Sequence, residues 1–147
     1  MGKRRKAREL VLQLLYAEAM SNNPAETIIQ DLTAGAEGRH DIVDFAEQLF
    51  RKIIKFKIEL DDEVALILKN WEYYRVALID RLILRLALCE LLYFKEIPPK
   101  VTINEAIDLA KKYSTSESGR FVNGILDALF KKCSDEKRIV KEGRGLM

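Results

Sequence analysis

The residues of this sequence best suited to chemistry are the cations at its start. Five of the first eight residues are basic: Lys3, Arg4, Arg5, Lys6 and Arg8, called here the amino-terminal basic segment. They precede an apolar run with helical spacing, so they lie at the positive end of a predicted helix, which acidic residues would stabilise better. A polyanion would neutralise these cations and accept from the free N–H groups of the first turn. We interpret the segment as a nucleic-acid-binding one, and the alternative is a solvated charge run.

A second patch combines cations with aromatic rings where two predicted helices meet. The stretch KKYSTSESGRF places Lys111, Lys112 and Tyr113 at the end of one helix and Arg120 and Phe121 at the beginning of the next. Unpaired bases stack on aromatic rings beside cations. Phe121 lies off the inward stripe of its helix, so we expect it at an edge. The alternative is that both aromatic residues simply close the end of a bundle.

The sequence lacks the signatures of catalysis and of metal binding. Its single histidine, His40, and two distant cysteines, Cys89 and Cys133, cannot form a zinc site, and we expect both thiols to be reduced. No glycine-rich phosphate-binding loop is present. Asp61 and Asp62 form a carboxylate pair, which we interpret as a helix cap. We therefore predict a protein that is not an enzyme and has no cofactor or metal.

The elements that position these residues are all predicted to be helices. Apolar residues recur at helical spacing, strand-like alternation is nearly absent, and the pattern predicts an all-α fold of about seven helices packed as bundles. In the first helix, Leu12 and Tyr16 fall opposite the main apolar stripe. We expect these two side chains to form a second contact surface. Gly35 and Gly38 mark the clearest break in the pattern.

The stretch from Arg75 to Phe94 is predicted to be the central helix, because it is apolar on all sides apart from four charged residues. We expect Arg81 and Arg85 to be ion-paired or at an edge. Asp80 is harder to explain, since no basic residue lies three or four positions away. After the prolines of EIPPK, Thr102 and Glu105 are predicted to form a capping box.

Length and composition favour one globular domain. The chain has 147 residues, of which 48% are hydrophobic and 33% are charged, which is typical of a soluble protein. We predict an all-α RNA-binding domain over residues 1–134 and a polar, flexible tail over residues 135–147. No segment has the pattern of a secretory signal or a membrane span, so we expect a cytoplasmic protein.

Four stretches, in this order, resemble the NusB family of transcription antitermination factors: RRKARELVLQLLY, WEYYRVALIDRLILRLALCEL, IPPKVTINEAIDLAKKYS and FVNGILD. The resemblance implies an all-α protein of two packed helical bundles without enzymatic activity. It further implies a partner, NusE, which is also a small-subunit ribosomal protein. Together the pair would bind the single-stranded boxA element of nascent ribosomal RNA and promote read-through by RNA polymerase in an antitermination complex.

The resemblance also implies roles for particular residues. The amino-terminal basic segment resembles the family's RNA-binding segment, together with Tyr113, Glu117, Arg120 and Phe121. Tyr16 and Asp80 resemble positions on the surface that faces NusE. Glu117 is an acidic residue on the RNA path, so we expect it to tune affinity or to accept a hydrogen bond from a base. The rival interpretation is a helical protein-interaction module, or a homodimer through Leu12 and Tyr16, without specific RNA binding.

Overall fold

The computed structural model describes residues 2–34, 39–68 and 73–147. Over these residues the regular structure is helical, as the sequence predicts, with seven α-helices and two short 3₁₀ turns. The helices are α1 (Gly2–Ser21), α2 (Ala25–Thr33), α3 (His40–Lys55), α4 (Lys57–Leu68), α5 (Leu78–Tyr93), α6 (Pro99–Tyr113) and α7 (Ser116–Asp135), and the 3₁₀ turns span Tyr73–Arg75 and Gly143–Leu146.

The chain divides into two compact units, Met1–Lys55 with α1 to α3 and Phe56–Met147 with α4 to α7. These are the two helical bundles that the resemblance implies. The glycine break at Gly35 and Gly38, and a helix end predicted near Trp71, lie outside the described residues.

In the amino-terminal unit, α1 packs mainly against α3, and α2 contacts both helices. Leu12 is only 4% exposed, so the prediction that it lies on an outward surface is wrong. Val11, Leu12, Leu14 and Leu15 are all buried, which means that α1 buries two adjoining faces. The prediction assumed that neighbouring helices cover only one face of α1. They cover a wider part of its circumference, which includes Leu12.

The carboxy-terminal unit is built around α5, which contacts α4, α6 and α7. Every residue of α5 from Leu82 to Leu91 is buried. This confirms the prediction of a central helix, because a helix that is apolar on all sides is stable only when it is surrounded.

Asp61 does not cap a helix, so the capping prediction for this carboxylate pair is wrong. The helix α4 begins earlier, at Lys57, and places Asp61 in its second turn. There Asp61 Oδ1 accepts hydrogen bonds from Tyr73 Oη at 2.7 Å and from the buried Arg85 Nε at 2.5 Å. The pairing predicted for Arg85 is confirmed, and its partner lies 24 residues away in sequence.

Thr102 likewise does not cap α6. Pro99 is the first residue of the helix, where its missing N–H group would have had no partner in any case. Thr102 is therefore inside the helix and buried, and its hydroxyl donates to Glu90 Oε1 on α5 at 2.8 Å.

The last residues pack against the end of α5 within the carboxy-terminal unit, whereas the sequence predicts a loose tail. The Lys141 ammonium donates to the backbone oxygens of Glu90 and Phe94, at 3.1 and 2.8 Å, at the end of α5. Gly145 is buried so tightly against this corner that an added Cβ atom would lie 1.9 Å from the backbone oxygen of Lys95. Polar composition suggested a free segment, yet here the polar groups are used to satisfy the carbonyls at a helix end.

Candidate nucleic-acid and partner surfaces

The amino-terminal basic segment forms the first two turns of α1. Lys3, Arg4, Arg5 and Lys6 are exposed there, as a nucleic-acid-binding surface requires. Arg8 is only 3% exposed. The RNA-binding role predicted for Arg8 stays a prediction, and its side chain is part of the face by which α1 packs.

The residue that organises this segment is Phe45 on α3. The guanidinium carbon of Arg4 lies 4.3 Å from the centre of the Phe45 ring, and that of Arg8 lies 5.7 Å from it. Both contacts have the geometry of cation–π interactions. The ring therefore holds the exposed Arg4 guanidinium in place, and the guanidinium keeps its positive charge.

Asp41 supplies part of the compensation that the sequence alone left unexplained. Its Oδ2 atom lies 2.5 Å from the Lys3 ammonium. This hydrogen bond holds the pKa of Asp41 below its usual range. Sequence reasoning missed both Asp41 and Phe45, and the available signal was their i, i+4 spacing at the start of α3, matching that of Arg4 and Arg8 on α1.

The second patch is the α6–α7 corner, defined here as residues 111–121. Only Ser114 and Thr115 separate the two helices. The Thr115 hydroxyl accepts from the backbone N–H of Ser118 at 3.2 Å, and the Ser118 hydroxyl accepts from the N–H of Thr115 at 3.4 Å. This capping box uses a serine where glutamate or glutamine is commoner, which is why the sequence pattern did not reveal it.

The corner combines cations with aromatic rings, as the sequence predicts. Tyr113 is 39% exposed, and the Lys112 ammonium lies 5.3 Å from the centre of its ring. Phe121 is half-buried, which confirms that it lies at an edge, and Arg120 is exposed close to it in α7. The side chain of Lys111 crosses the buried Gly119, where an added Cβ atom would lie 3.0 Å from Lys111 Cγ and Cε.

Glu117 is exposed in the first turn of α7. At this position its carboxylate favours the positive end of the helix. An acidic residue on the predicted RNA path therefore has a structural reason to be there as well as the functional one.

The residues predicted to face a protein partner do not form one exposed set. Tyr16 is 44% exposed, and Met20, one turn further along α1, is 62% exposed. Asp80 is buried, whereas the family resemblance implies a position on the partner-facing surface, and that role stays a prediction. Its Oδ2 atom accepts a hydrogen bond from Ser118 Oγ, a long-range contact that no pattern along α5 could show.

The described residues contain no group of three or more potential metal ligands. Both cysteines are buried thiols, and burial raises the pKa of Cys133. Among the helices of the described ranges, none is long and apolar enough to cross a membrane.

The fold and the surfaces together define an all-helical protein with exposed basic residues in the first turns of α1 and with basic and aromatic residues at the α6–α7 corner. The chain belongs to the NusB family, whose model matches residues 5–131.

Curated relatives match over nearly the whole chain. A transcription antitermination protein NusB of Salinibacter ruber is 45% identical over 148 residues, covering 100% of this chain and 92% of the relative. Another, of Trichlorobacter lovleyi, is 41% identical and covers 94% of this chain and 97% of the relative.

Solved structures show the same fold. NusB of T. maritima has a TM-score of 0.82 at 35% identity, covering 92% of this chain and 95% of that one. A NusB crystallised with NusE and double-stranded RNA has a TM-score of 0.76 at 24% identity, covering 90% of this chain and 98% of that one. At 24% identity, this similarity establishes that the two proteins share a fold and nothing further.

Proposed function

We propose that this protein is an RNA-binding transcription antitermination factor. With NusE as its partner, it binds single-stranded boxA RNA in nascent ribosomal transcripts and promotes read-through by RNA polymerase. The relatives carry the name of antitermination proteins, and a structural neighbour was crystallised with NusE and RNA. We further propose that it acts in the cytoplasm, without catalytic activity, cofactor or metal.

The observation that carries the RNA-binding proposal is the exposed Arg4 guanidinium held over the Phe45 ring. A phosphate or a base approaching α1 meets a guanidinium that already rests against an aromatic ring, so less side-chain freedom is lost on binding. Arg5 and Lys6 add exposed positive charge beside it. Lys3 contributes less, because Asp41 already neutralises it.

The α6–α7 corner supports the recognition of unpaired bases. Tyr113 offers an exposed ring for stacking, and the Lys112 ammonium lies 5.3 Å from the centre of that ring. Lys111 and Arg120 add exposed cations at the same corner. Single-stranded RNA is recognised through splayed bases that stack on aromatic rings and present their edges to side chains.

The decisive experiment is an electrophoretic mobility-shift titration with boxA RNA, with and without NusE. The charge-reversal variant Arg4→Glu/Arg5→Glu is expected to lose RNA retention and to keep its NusE affinity, since these residues lie away from Tyr16 on α1. RNA retention by this variant equal to that of the wild type would contradict the proposal. Lys131→Glu/Lys137→Glu, which reverses two exposed cations near the end of the chain, is the matched control.

The second candidate function is a protein-interaction module that does not bind RNA specifically. The exposed Tyr16 and Met20 on α1 favour it, since an aromatic ring and a methionine at i, i+4 form an apolar contact patch. Tyr16→Asp separates the two functions. In the adapter it should abolish NusE binding and leave binding to RNA alone nearly unchanged.

A further inference from the structure

Asp80 is a buried carboxylate that helix packing does not explain. It lies near the start of α5 and is 6% exposed. Its Oδ2 atom accepts a hydrogen bond of 3.0 Å from the Ser118 hydroxyl. Its Oδ1 atom is buried with no hydrogen-bonding partner among the described residues. The one hydrogen bond that the described residues give to Asp80 joins α5 to α7, so the surroundings of Ser118 indicate what Asp80 holds in place.

The hydrogen bonds around Ser118 have a defined direction. Ser118 has one hydroxyl hydrogen, and it donates that hydrogen to Asp80. Its oxygen therefore acts as an acceptor in its other contacts, from Ser114 Oγ at 2.9 Å and from the Thr115 N–H at 3.4 Å. Asp80 is thus connected, through one serine, to both residues that separate α6 from α7.

These two residues determine the geometry of the α6–α7 corner. Ser114 follows Tyr113, the last residue of α6, and Thr115 is the N-cap of α7. With so short a connection, a backbone rotation at either residue would redirect the first turns of α7 relative to the Tyr113 ring. The cations and rings of the corner keep their mutual positions only while this connection is held.

We propose that Asp80 is a positioning residue, which holds the α6–α7 corner through Ser118 in the conformation that binds single-stranded RNA. It does not act by touching a protein partner. This inference rests on the proposed function, and it gives Asp80 a part in RNA binding instead of the partner contact that the family resemblance suggests.

The test compares two substitutions of Asp80 by fluorescence anisotropy with labelled boxA RNA, and separately with NusE. Asp80→Leu removes the acceptor and is expected to weaken RNA binding about tenfold. Asp80→Asn retains an oxygen that accepts from Ser118 and is expected to bind RNA within about twofold of the wild type. Both variants should bind NusE as the wild type does. A loss of NusE affinity with unchanged RNA affinity would show that Asp80 is a partner contact and would overturn the inference.

A double-mutant cycle tests the route through Ser118. Ser118→Ala should weaken RNA binding to the same extent as Asp80→Leu, and the combined variant should be no weaker than either, because both remove the same connection. If the losses of RNA affinity in the two single variants added up in the combined variant, Asp80 would not act through Ser118. Thr102→Val is the matched control, since it removes the buried hydrogen bond to Glu90 between α5 and α6 outside the corner.

Amide hydrogen exchange measures the local stability of the α6–α7 corner in the protein without any ligand. Exchange at Ser118, whose N–H donates to the Thr115 hydroxyl, should accelerate in Asp80→Leu, and it should stay near the wild-type rate in Asp80→Asn and Thr102→Val. Unchanged exchange in Asp80→Leu would overturn the inference. If wild-type protein does not retain RNA, the proposed function fails, and the exchange experiment still decides whether Asp80 holds the corner.

Discussion

At the scale of single residues, the cations at the start of α1 differ from a solvated charge run because side chains of α3 contact them. Arg4 and Arg8 lie over one phenylalanine ring, and Lys3 is paired with Asp41. The unfavourable interaction of these cations with the positive end of the helix is therefore partly offset within the protein. The exposed guanidinium and ammonium groups of this segment are the ones we assign to RNA.

Replacing the supporting ring should weaken RNA binding while leaving the fold in place. Phe45→Leu keeps an apolar side chain in the site but removes the cation–π contact, which contributes about 0.5–1 kcal/mol at exposed sites. We expect RNA affinity to fall about two- to fivefold, as measured by anisotropy at constant salt. Phe50→Leu, at a buried position on the same helix, is the control. An equal loss of RNA affinity in the control would indicate general destabilisation of α3.

At the scale of elements, the carboxy-terminal residues act as a cap for α5. Lys141 donates to two carbonyls at the end of the helix, and the backbone N–H of Glu142 donates to the oxygen of Lys95 at 3.0 Å. Burial lowers the pKa of Lys141, so these hydrogen bonds are made by an ammonium that has lost part of its hydration.

Removing this cap should destabilise the carboxy-terminal unit. Lys141→Met keeps the aliphatic length but loses both hydrogen bonds, so the free energy of unfolding should fall by about 1–2 kcal/mol. Urea denaturation followed by circular dichroism measures the change. Lys131→Met, at an exposed position of α7, is the control and should have little effect. If both variants lost the same free energy of unfolding, the two hydrogen bonds of Lys141 would not be the cause of the loss.

The cluster around Glu63 should make stability depend on acid. Burial opposes ionisation of Glu63, yet hydrogen bonds from Arg138 and Lys132 hold its pKa below the ordinary value of 4.5. A carboxyl group with a lowered pKa in the folded state stabilises the protein above its unfolded-state pKa, and this contribution disappears as the pH falls through the folded-state pKa.

The Glu63→Gln variant should therefore have a lower free energy of unfolding than the wild type at neutral pH. Its free energy of unfolding should also fall less than that of the wild type as the pH is lowered into the acid range. Thermal unfolding of both proteins across that range gives the two slopes. Glu59→Gln, at an exposed position on the same helix, is the control and should follow the wild-type slope. If the stability of Glu63→Gln changed with pH as steeply as that of the wild type, the cluster around Glu63 would not be a cause of the acid sensitivity.

At the scale of the whole molecule, the net charge of +2 conceals a local excess of positive charge. Without the amino-terminal basic segment, the remaining chain has 20 basic and 23 acidic residues. Attraction of a polyanion is therefore strongest at the amino-terminal basic segment, and we expect few phosphates to be neutralised on binding.

The salt dependence of RNA binding should be correspondingly modest. Neutralising about three to five phosphates of a single strand predicts a slope of log K against log salt of roughly −2 to −3.5. Arg4→Gln/Arg5→Gln should make the slope shallower by about 1.4 if each arginine neutralises one phosphate. Titrations at several salt concentrations measure both slopes. An affinity that does not change with salt would contradict phosphate binding by this segment.

The sequence by itself determined the helical class, the order of the helices and the central place of α5. These properties depend on local spacing of apolar residues, and a helix that is apolar on all sides has no stable alternative to being surrounded. The exposure of Tyr16 and the edge position of Phe121 were also predictable, because each lies off the main apolar stripe of its own helix.

Only the tertiary structure decided the burial of Arg8, Leu12 and Asp80. Each of these depends on how much of a helix its neighbours cover, and the hydrogen bond of Asp80 joins residues 38 positions apart. The helix starts at Lys57 and Pro99 were missed for a related reason. Asp61 and Thr102 resembled caps locally, but their polar groups bind partners on other elements, and such contacts are absent from any pattern along the chain.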